Sequence, residues 1–496
     1  MILGMREMSA KRRVLLVNPG YYEVGDYSYA YQPPMGLLKI ARYLKKKNVA
    51  VEYLDFSVPA RIWSDGKSLK NVFASAPVVR QQPCGNFESE GISKAVRYYG
   101  VPHDEIKRRI KAANPTEVWL GTNLTYYWEA ARDVAQICKD IYPDVPVLAG
   151  GIYASLFPEH ADANLNVDIV VQGPLPDIDD LFPDYSIDTT YRTSRTFQLG
   201  KGCHLKVPCS FCAVHAMEGG IFKGVSAQST FDYMKEEYDK GVNHFQIWSS
   251  QLLVPLSSFK DLMRKIIDSD MSITMIASEG IQASIFDQEC ADLMSEAGFR
   301  IISIPMETVS EELTESTHKP STFNQYERAV SYAQNAGIQA IIAFVMVGIP
   351  GQNYNDIVHA IVDCWARDCL VGFHQYTPIP GSEDWEKFPQ FHDKSPDQLH
   401  PSLWPGASDE LKVSYLEEIK RISKMGIINF CDLYSKRELN RVQEITDLFA
   451  KWAREYGLMD TDGYTDEYPL TTPGYRSAYR DTWEKEAIEK GLLCPS

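Results

Sequence analysis

Three cysteines, Cys203, Cys209 and Cys212, fall within the short stretch LGKGCHLKVPCSFCAV. Thiolates crowded in this way read as ligands of an inorganic centre. A structural zinc site needs four closed ligands, usually in two paired knuckles, and no second CxxC or HxxxH pair follows here, so zinc is the weaker reading. Three thiolates on one tight loop can instead hold three irons of a 4Fe-4S cluster and leave the fourth iron open to a substrate or cofactor. His204 and His215 lie nearby, but a loop histidine beside a cluster is more often an outer residue than a ligand.

The elements that must carry this loop can be read from the pattern of apolar residues. VLLVNPG (14–20) is a buried strand closed by turn chemistry, PPMGLLKIARYLKKK has apolar residues in helical register, and VAVEYLDF returns as a strand, giving a βαβ unit. After a segment expected to be irregular, about 57–101, a polar helix (103–113) leads to the strand EVWLGTN, a helix (128–142) and the strands VPVLAGG and VDIVVQG. The fold class is therefore α/β, with an N-terminal doubly wound parallel sheet over 11–175 and a linker over 176–194. Ligands of such sheets bind at the C-terminal strand ends. There Gly150 and Gly151 allow close backbone approach and Asn123 and Thr125 offer small polar groups, although the glycines could equally serve only the turns. No GxGxxG follows the first strand, which disfavours a nicotinamide or flavin dinucleotide.

Residues 195–395 repeat strand and helix: TFQL, FQIWSS, ITMIAS, RIISIPME, AIIAFVMVG and VGFHQYTPIP alternate with helical patterns. Six parallel strands with helices outside make a partial (β/α)6 barrel, with its site at the C-terminal strand ends. From about residue 396 to 496 a small helical cap is expected, with a helix starting after Asp409 and another over ELNRVQEITDLFAKWAREYG. The chain of 496 residues is too long for one ordinary core. A net charge of −16 argues against a nucleic-acid partner. The absence of a long apolar run or a signal-type N-terminus, and ten cysteines without a secreted framework, point to a cytoplasmic protein without a membrane partner. Cys364 and Cys369 do not suggest a second cluster.

The cysteine loop, with Phe211 between the second and third cysteines, resembles the cluster loop of the radical S-adenosylmethionine (SAM) superfamily, with CxxxxxCxxC in place of the usual CxxxCxxC. PPMGLLKIARYL, GGIYAS and DIVVQG resemble the N-terminal cobalamin-binding domain of B12-dependent members of that superfamily. On that resemblance Glu307 of ISIPMETVSEEL is a SAM contact, Gly348 of AFVMVGIPGQ belongs to the fifth-strand pattern with Gln352 in place of the usual acid, and Tyr376 of YTPIPGSE lies near the adenosine. Phe211 belongs to the same SAM site. FQIWSSQLLV departs from the common second-strand motif, so Ser249, Ser250 and Gln251 bind SAM differently or face the substrate. Glu279 stands where an arginine is common. The cobalamin site implied by the resemblance comprises Tyr22, Asn123, Thr125, Gly150, Gly151, Gln172 and Gly173. No DxHxxG motif is present, so cobalamin is expected with its own base displaced and no protein histidine below the cobalt. Tyr21, Tyr22, Tyr126 and Tyr127 are either near that lower face or core packing.

The resemblance implies a 4Fe-4S cluster, SAM and methylcobalamin as cofactors and a C-methyltransferase (EC 2.1.1) acting on an unactivated carbon. The cluster gives one electron to SAM, the resulting 5′-deoxyadenosyl radical takes a substrate hydrogen, the carbon radical takes methyl from methylcobalamin, and a second SAM remethylates cobalt. No side chain is needed as a catalytic base. A low-potential donor such as ferredoxin or flavodoxin is the expected redox partner. The substrate is a protein, peptide or small molecule, and the anaerobic, methanogen members of the family suggest a post-translational modification, C-methylation of a glutamine of methyl-coenzyme M reductase. The rival outcomes are oxidation, cyclisation or ring rearrangement with the same cofactors, a methylthiotransferase without cobalamin, and a non-enzymatic iron-sulfur redox sensor or scaffold.

Overall fold

The computed structural model describes residues 12–25, 33–57, 80–89, 92–175, 178, 182–188, 194–408, 411–423, 450–451 and 454–455. Strand β1 (Arg13–Asn18) is buried from Val14 onward, as a strand covered on both faces must be. β2 (Tyr21–Val24) follows at once. α1 (Met35–Lys46) buries Leu37, Leu38, Ala41 and Leu44 on one stripe, and β3 (Ala50–Asp55) returns parallel to β1. Then come β4 (Arg80–Ser89), β5 (Ile92–Tyr99), α2 (His103–Ala113), β6 (Glu117–Thr122), α3 (Trp128–Ile141), β7 (Val147–Gly151), the short helices α4 (Ile152–Leu156) and α5 (Pro158–Asn164), and β8 (Ile169–Val171). The sheet order is β3-β1-β6-β7-β8 with every pairing parallel. The chain changes direction between β1 and β6, so a crevice opens at their C-terminal ends.

The irregular segment expected over 57–101 is not observed at residues 80–99. β4 and β5 form an antiparallel hairpin that β2 joins, giving a sheet of order β2-β5-β4. Its sequence hides it because Pro83 and Gly85 shift the register of β4. Cross-strand aromatic pairs hold the ribbon: Tyr21 stacks on Tyr99 with centroids 5.3 Å apart, and Tyr22 lies 5.0 Å from Tyr98. Residues 58–79 lie outside the described residues.

The second sheet begins with β9 (Ser194–Phe197). It is followed by β10 (Gly200–Lys201), α6 (Val214–Glu218), β11 (Lys223–Gly224), α7 (Ala227–Asp239), β12 (His244–Ile247), α8 (Leu256–Ile267), β13 (Thr274–Gly280) and α9 (Gln288–Ala297). The remaining elements are β14 (Phe299–Glu307), α10 (Glu311–Ser316), α11 (Phe323–Asn335), β15 (Ala340–Val347), α12 (Tyr354–Ala366), β16 (Leu370–Gln375), α13 (Glu383–Lys387) and α14 (Val413–Ser423). Six strands lie in the order β16-β15-β14-β13-β12-β9, all parallel, which is the expected partial barrel. Met275, Ala277, Ile302 and Ile341 belong to the large core that includes the helices' apolar faces. Ile276, Ile301, Ala340 and Ile342 pack together as a separate cluster in the N-terminal halves of their strands. That cluster fills the lower part of the sheet's inner face and leaves the C-terminal strand ends for polar groups.

The helix expected after Asp409 is α14. The second cap helix and the Tyr-rich tail lie outside the described residues except for 450–451 and 454–455. Among the described residues no helix is long and apolar enough to cross a membrane.

Candidate active site

The cysteine loop is closed at its base by the two-residue ladder of β10 and β11, Gly200 opposite Gly224 and Lys201 opposite Lys223. Gly202 sits at φ +84°, and a Cβ there would collide with the carbonyl oxygen of Ile221, so only glycine fits between the ladder and Cys203. Three further elements hold the loop. From the end of β12, Ser250 Oγ donates to the Gly202 carbonyl (3.0 Å) and Gln251 Nε2 lies 3.4 Å from Cys203 Sγ. From the end of α10, the Thr317 carbonyl accepts the Ser210 amide (2.9 Å). From α13, the Asp384 amide donates to the Ser210 carbonyl (2.8 Å).

None of the three cysteines is in a disulfide. Burial pushes the Cys209 thiol up to about 11, with Lys319 pulling the other way, and burial also raises the Cys212 thiol. Buried thiols of this kind are inert until a metal displaces their protons. Among the described residues no three His, Cys, Asp or Glu side chains converge on a point suited to a single metal ion. A single tetrahedral ion gathers its sulfurs about 2.3 Å from one centre. A cluster takes each thiolate on a different iron, and three thiols on one stapled loop, close enough that Cys203 adds to the rise of the other two, fit that group.

Glu307 ends β14 at φ +64°, beside a register shift in the pairing with β15. Such a bulge re-aims a side chain. Its Oε1 receives Lys319 Nζ at 2.8 Å, both side chains being 10% exposed, and its Oε2 has no hydrogen-bond partner. The Lys319 ammonium also lies 5.8 Å from the centre of the Phe211 ring. Phe211 in turn packs, as Met346 does, against the cluster of Tyr376, Ile349 and Leu313. The Tyr376 hydroxyl donates to Asp384 Oδ2 (3.1 Å), so burial and this carboxylate both raise its pKa. Gly348, at φ +94°, donates its amide to Gln352 Oε1 (2.8 Å), while Gln352 Nε2 donates to the Met346 carbonyl (3.0 Å). An amide makes both bonds and a carboxylate could not, which accounts for glutamine at that position. Ser249 is buried and its hydroxyl has no hydrogen-bond partner. The structure thus gathers Cys203, Cys209, Cys212, Phe211, Gln251, Glu307, Gly348 and Tyr376 around the C-terminal strand ends of the barrel. Gln352, named from its motif, joins them, as do Lys319 and Asp384, which were not legible because each finds its partner, Glu307 or Tyr376, only through the fold.

At the N-terminal sheet, Asn123 Nδ2 donates to Asn18 Oδ1 (3.3 Å) across the crevice between β1 and β6. Thr122 Oγ1 donates to the Gly150 carbonyl (3.1 Å). Gly151, at φ +128°, lies so close to the Thr122 carbonyl that a Cβ would collide with it, so close strand packing alone demands this glycine. Ser155 Oγ donates to the Gly151 carbonyl (2.7 Å) and accepts the Gly173 amide (3.0 Å). Gln172 is exposed, and Thr125 opens a short turn over 125–127 that packs beneath residues 396–399. Tyr22 instead donates to Asp133 Oδ2 of α3 (2.7 Å), and no hydrogen bond joins it to Asn123 or the glycines among the described residues. Tyr21 and Tyr127 are buried packing residues, and Tyr127 donates to Glu23 Oε2 (2.5 Å), whose Oε1 is 3.0 Å from His400 Nε2. α4, which follows β7, packs against α6, which follows the cysteine loop. The strand ends of the two sheets therefore face one another.

Residues 197–364 match the model of a family described as the radical SAM superfamily. Among solved structures the fold is similar to that of the radical S-adenosylmethionine methyltransferase TsrM from Kitasatospora setae, bound to tryptophan and a SAM analogue. That match has 18% identity and a TM-score of 0.54 and covers 75% of this chain and 74% of the other. It is also similar to the cobalamin-dependent S-adenosylmethionine radical enzyme OxsB with aqua-cobalamin and SAM bound, at 11% identity and a TM-score of 0.57, over 98% of this chain and 82% of the other. No curated protein sequence matches the chain. The chain contains a radical SAM domain, set within an α/β fold like that of cobalamin-dependent radical SAM enzymes.

Proposed function

We propose that this protein is a cobalamin-dependent radical SAM C-methyltransferase acting on an unactivated carbon. The observation that carries the reading is the stapled three-cysteine loop at the barrel mouth, held by α6 against the C-terminal edge of a doubly wound sheet. Cys203, Cys209 and Cys212 would hold the cluster, Phe211, Ser249, Gln251, Glu307, Gly348 and Tyr376 would form the SAM side, and the crevice at Asn123, Gly150, Gly151 and Gly173 would take cobalamin. Thr125 and Gln172 would lie at the edge of that crevice, whereas Tyr22 contributes through Asp133 to the ribbon. When bound, these groups supply radical chemistry and a transferable methyl, and the protein supplies placement and exclusion of water.

The chain's own residues have defined tasks. Gln251 aims an amide hydrogen at the Cys203 sulfur, and a hydrogen bond of this kind tunes a cluster's potential. Lys319 neutralises Glu307 and brings positive charge beside Cys209 and Cys212. Phe211 and the residues packed on it keep water from that side of the loop. The expected setting is cytoplasmic and anaerobic, with a ferredoxin or flavodoxin as electron donor. Within this reading the substrate is a peptidyl glutamine of methyl-coenzyme M reductase.

A second reading keeps both cofactors and replaces methyl transfer by oxidation, cyclisation or ring rearrangement. The likeness over 98% of the chain to OxsB, described as a cobalamin-dependent S-adenosylmethionine radical enzyme and not as a methyltransferase, keeps this reading beside the first. The test is anaerobic turnover with methyl-deuterated SAM against peptides containing glutamine and a metabolite panel. A product heavier by one labelled methyl supports methyl transfer, while a product altered without label selects the second reading.

A further inference from the structure

Resting on the reading of the cysteine loop as a cluster site, we propose that the outer face of this loop is the docking surface for a small acidic one-electron carrier protein. Among the described residues three large hydrophobic side chains are exposed: Ile152 at 37%, Val207 at 57% and Ile221 at 75%. Ile152 follows Gly151 at the crevice already given to cobalamin. The other two flank the cluster ligands. Val207 stands between Cys203 and Cys209, in the gap that is two residues longer than the usual CxxxC. Ile221 lies across from Cys203. The antiparallel ladder pairs Gly200 with Gly224 and Lys201 with Lys223, and carrying that register on by two residues sets Cys203 opposite Ile221. A Cβ built on Gly202 would lie 2.4 Å from the Ile221 carbonyl oxygen, so the two segments stay in contact past the ladder.

Single exposed hydrophobes are ordinary on a surface, and the charge around this pair is what sets it apart. The chain carries 66 acidic and 50 basic residues, yet from Gln198 to Phe231 it has Lys201, Lys206 and Lys223 against one carboxylate, Glu218. That carboxylate is engaged by the loop itself, its Oε2 accepting the Gly202 amide at 2.8 Å. His204, Lys206 and Lys223 are exposed on the same two segments as Val207 and Ile221. A net charge of −16 repels an acidic partner from the molecule at large, so such a partner is steered to a local basic face, and exposed apolar side chains give it something to bury. The far end of the loop is already covered: Ser210 is held by Thr317 and Asp384, and Phe211 packs on the Tyr376 cluster. The face at Val207 and Ile221 therefore offers an approach to the cluster ligands that does not cross the SAM side. One electron leaves the carrier's reduced centre and enters the cluster, and no atom is transferred.

The test follows cluster reduction by stopped-flow absorbance in anaerobically reconstituted full-length enzyme. Reduced flavodoxin serves as the acidic carrier and photoreduced deazaflavin as a small uncharged reductant. Lys206→Glu is expected to slow reduction by flavodoxin on the order of tenfold at ~0.01 M salt, where the Debye length is about 30 Å, and far less at ~1 M, where it is about 3 Å. The Val207→Ser, Ile221→Ser double variant should slow it on the order of tenfold at either salt concentration. Reduction by deazaflavin, iron content and SAM affinity should match wild type in every variant. Wild-type rates with flavodoxin in these variants overturn the proposal, and so does a loss shared with deazaflavin, which would lie in the cluster and not in docking. A wild-type cluster that deazaflavin reduces and flavodoxin does not also overturns it, as does a dimer of this chain that the double variant abolishes. Iron content is read before any carrier is added, so a protein without iron defeats the cluster reading, whereas an iron-loaded protein indifferent to these substitutions defeats the docking surface alone.

Discussion

Lys319→Met removes one charge from a buried pair and leaves the Glu307 carboxylate facing protein. With Nζ 2.8 Å from Oε1 and both side chains 10% exposed, the pair is largely shielded from water. At an effective dielectric of ~20 two unit charges at that distance attract by about 6 kcal/mol. Desolvating both ions takes most of this back, but removing a single partner leaves the other's penalty unopposed, a loss on the order of 3–5 kcal/mol. Glu307 Oε2 already lacks a hydrogen bond, so no alternative partner is waiting. For a cooperative unit of ~150–250 residues this corresponds to a fall in Tm of roughly 6–20 °C. The assay is urea and thermal unfolding of the metal-free chain under reducing conditions, with Glu307→Gln and the double variant beside it. The double variant is expected to recover more than half of the loss, because neither charge is then stranded. A single-variant loss below about 1 kcal/mol, the range of an exposed pair, would refute the reasoning.

Other positions give sharp expectations. Gly202→Ala places a Cβ against the Ile221 carbonyl at φ +84°, so iron uptake should fall below half of wild type while the circular dichroism of the sheets is unchanged; normal iron content would show that the loop tolerates the shift. Gly151→Ala meets the Thr122 carbonyl at φ +128° and should destabilise the N-terminal sheet by more than about 2 kcal/mol in urea unfolding with or without cobalamin, since packing alone excludes it. Surrounding protein pulls the His374 imidazole below its usual range although the residue keeps accessible surface, so the shift is partial and near pH 6 the unfolded chain binds more proton than the folded chain. Its contribution is therefore present above about pH 6.5 and lost as pH falls, and His374→Gln should flatten the acid side of a stability-pH curve.

The cysteine loop and both parallel sheets were legible because their signals are local. Three thiolates announce themselves by spacing, β1 and β15 are apolar runs, and α1 and α11 carry their buried residues on one stripe. The ribbon of β2, β4 and β5 was not legible, because β2 is only four residues long, Pro83 and Gly85 interrupt β4, and its stability rests on tyrosines paired across the sequence. The same limit applies to the site. Glu307 could be named from its motif, but Lys319 becomes its partner only through the fold, and Gln352 explains itself only once Gly348 and Met346 are seen on either side of it. Bulges at Glu279 and Glu307 are set by register against a neighbouring strand, which no local pattern records. Tyr22, named beside the strand-end glycines, is instead engaged by Asp133 because it lies on the ribbon.

The central claim is that the two sheets hold two different metallocofactors. Cobalt and iron content, with absorption spectra, should be measured on protein expressed with cobalamin and purified without oxygen, beside the Cys203→Ala, Cys209→Ala, Cys212→Ala triple variant. The account predicts about one cobalt per chain in both proteins and about four irons per chain in wild type only. Iron without cobalt in the wild-type protein, or iron that persists in the triple variant, would contradict it.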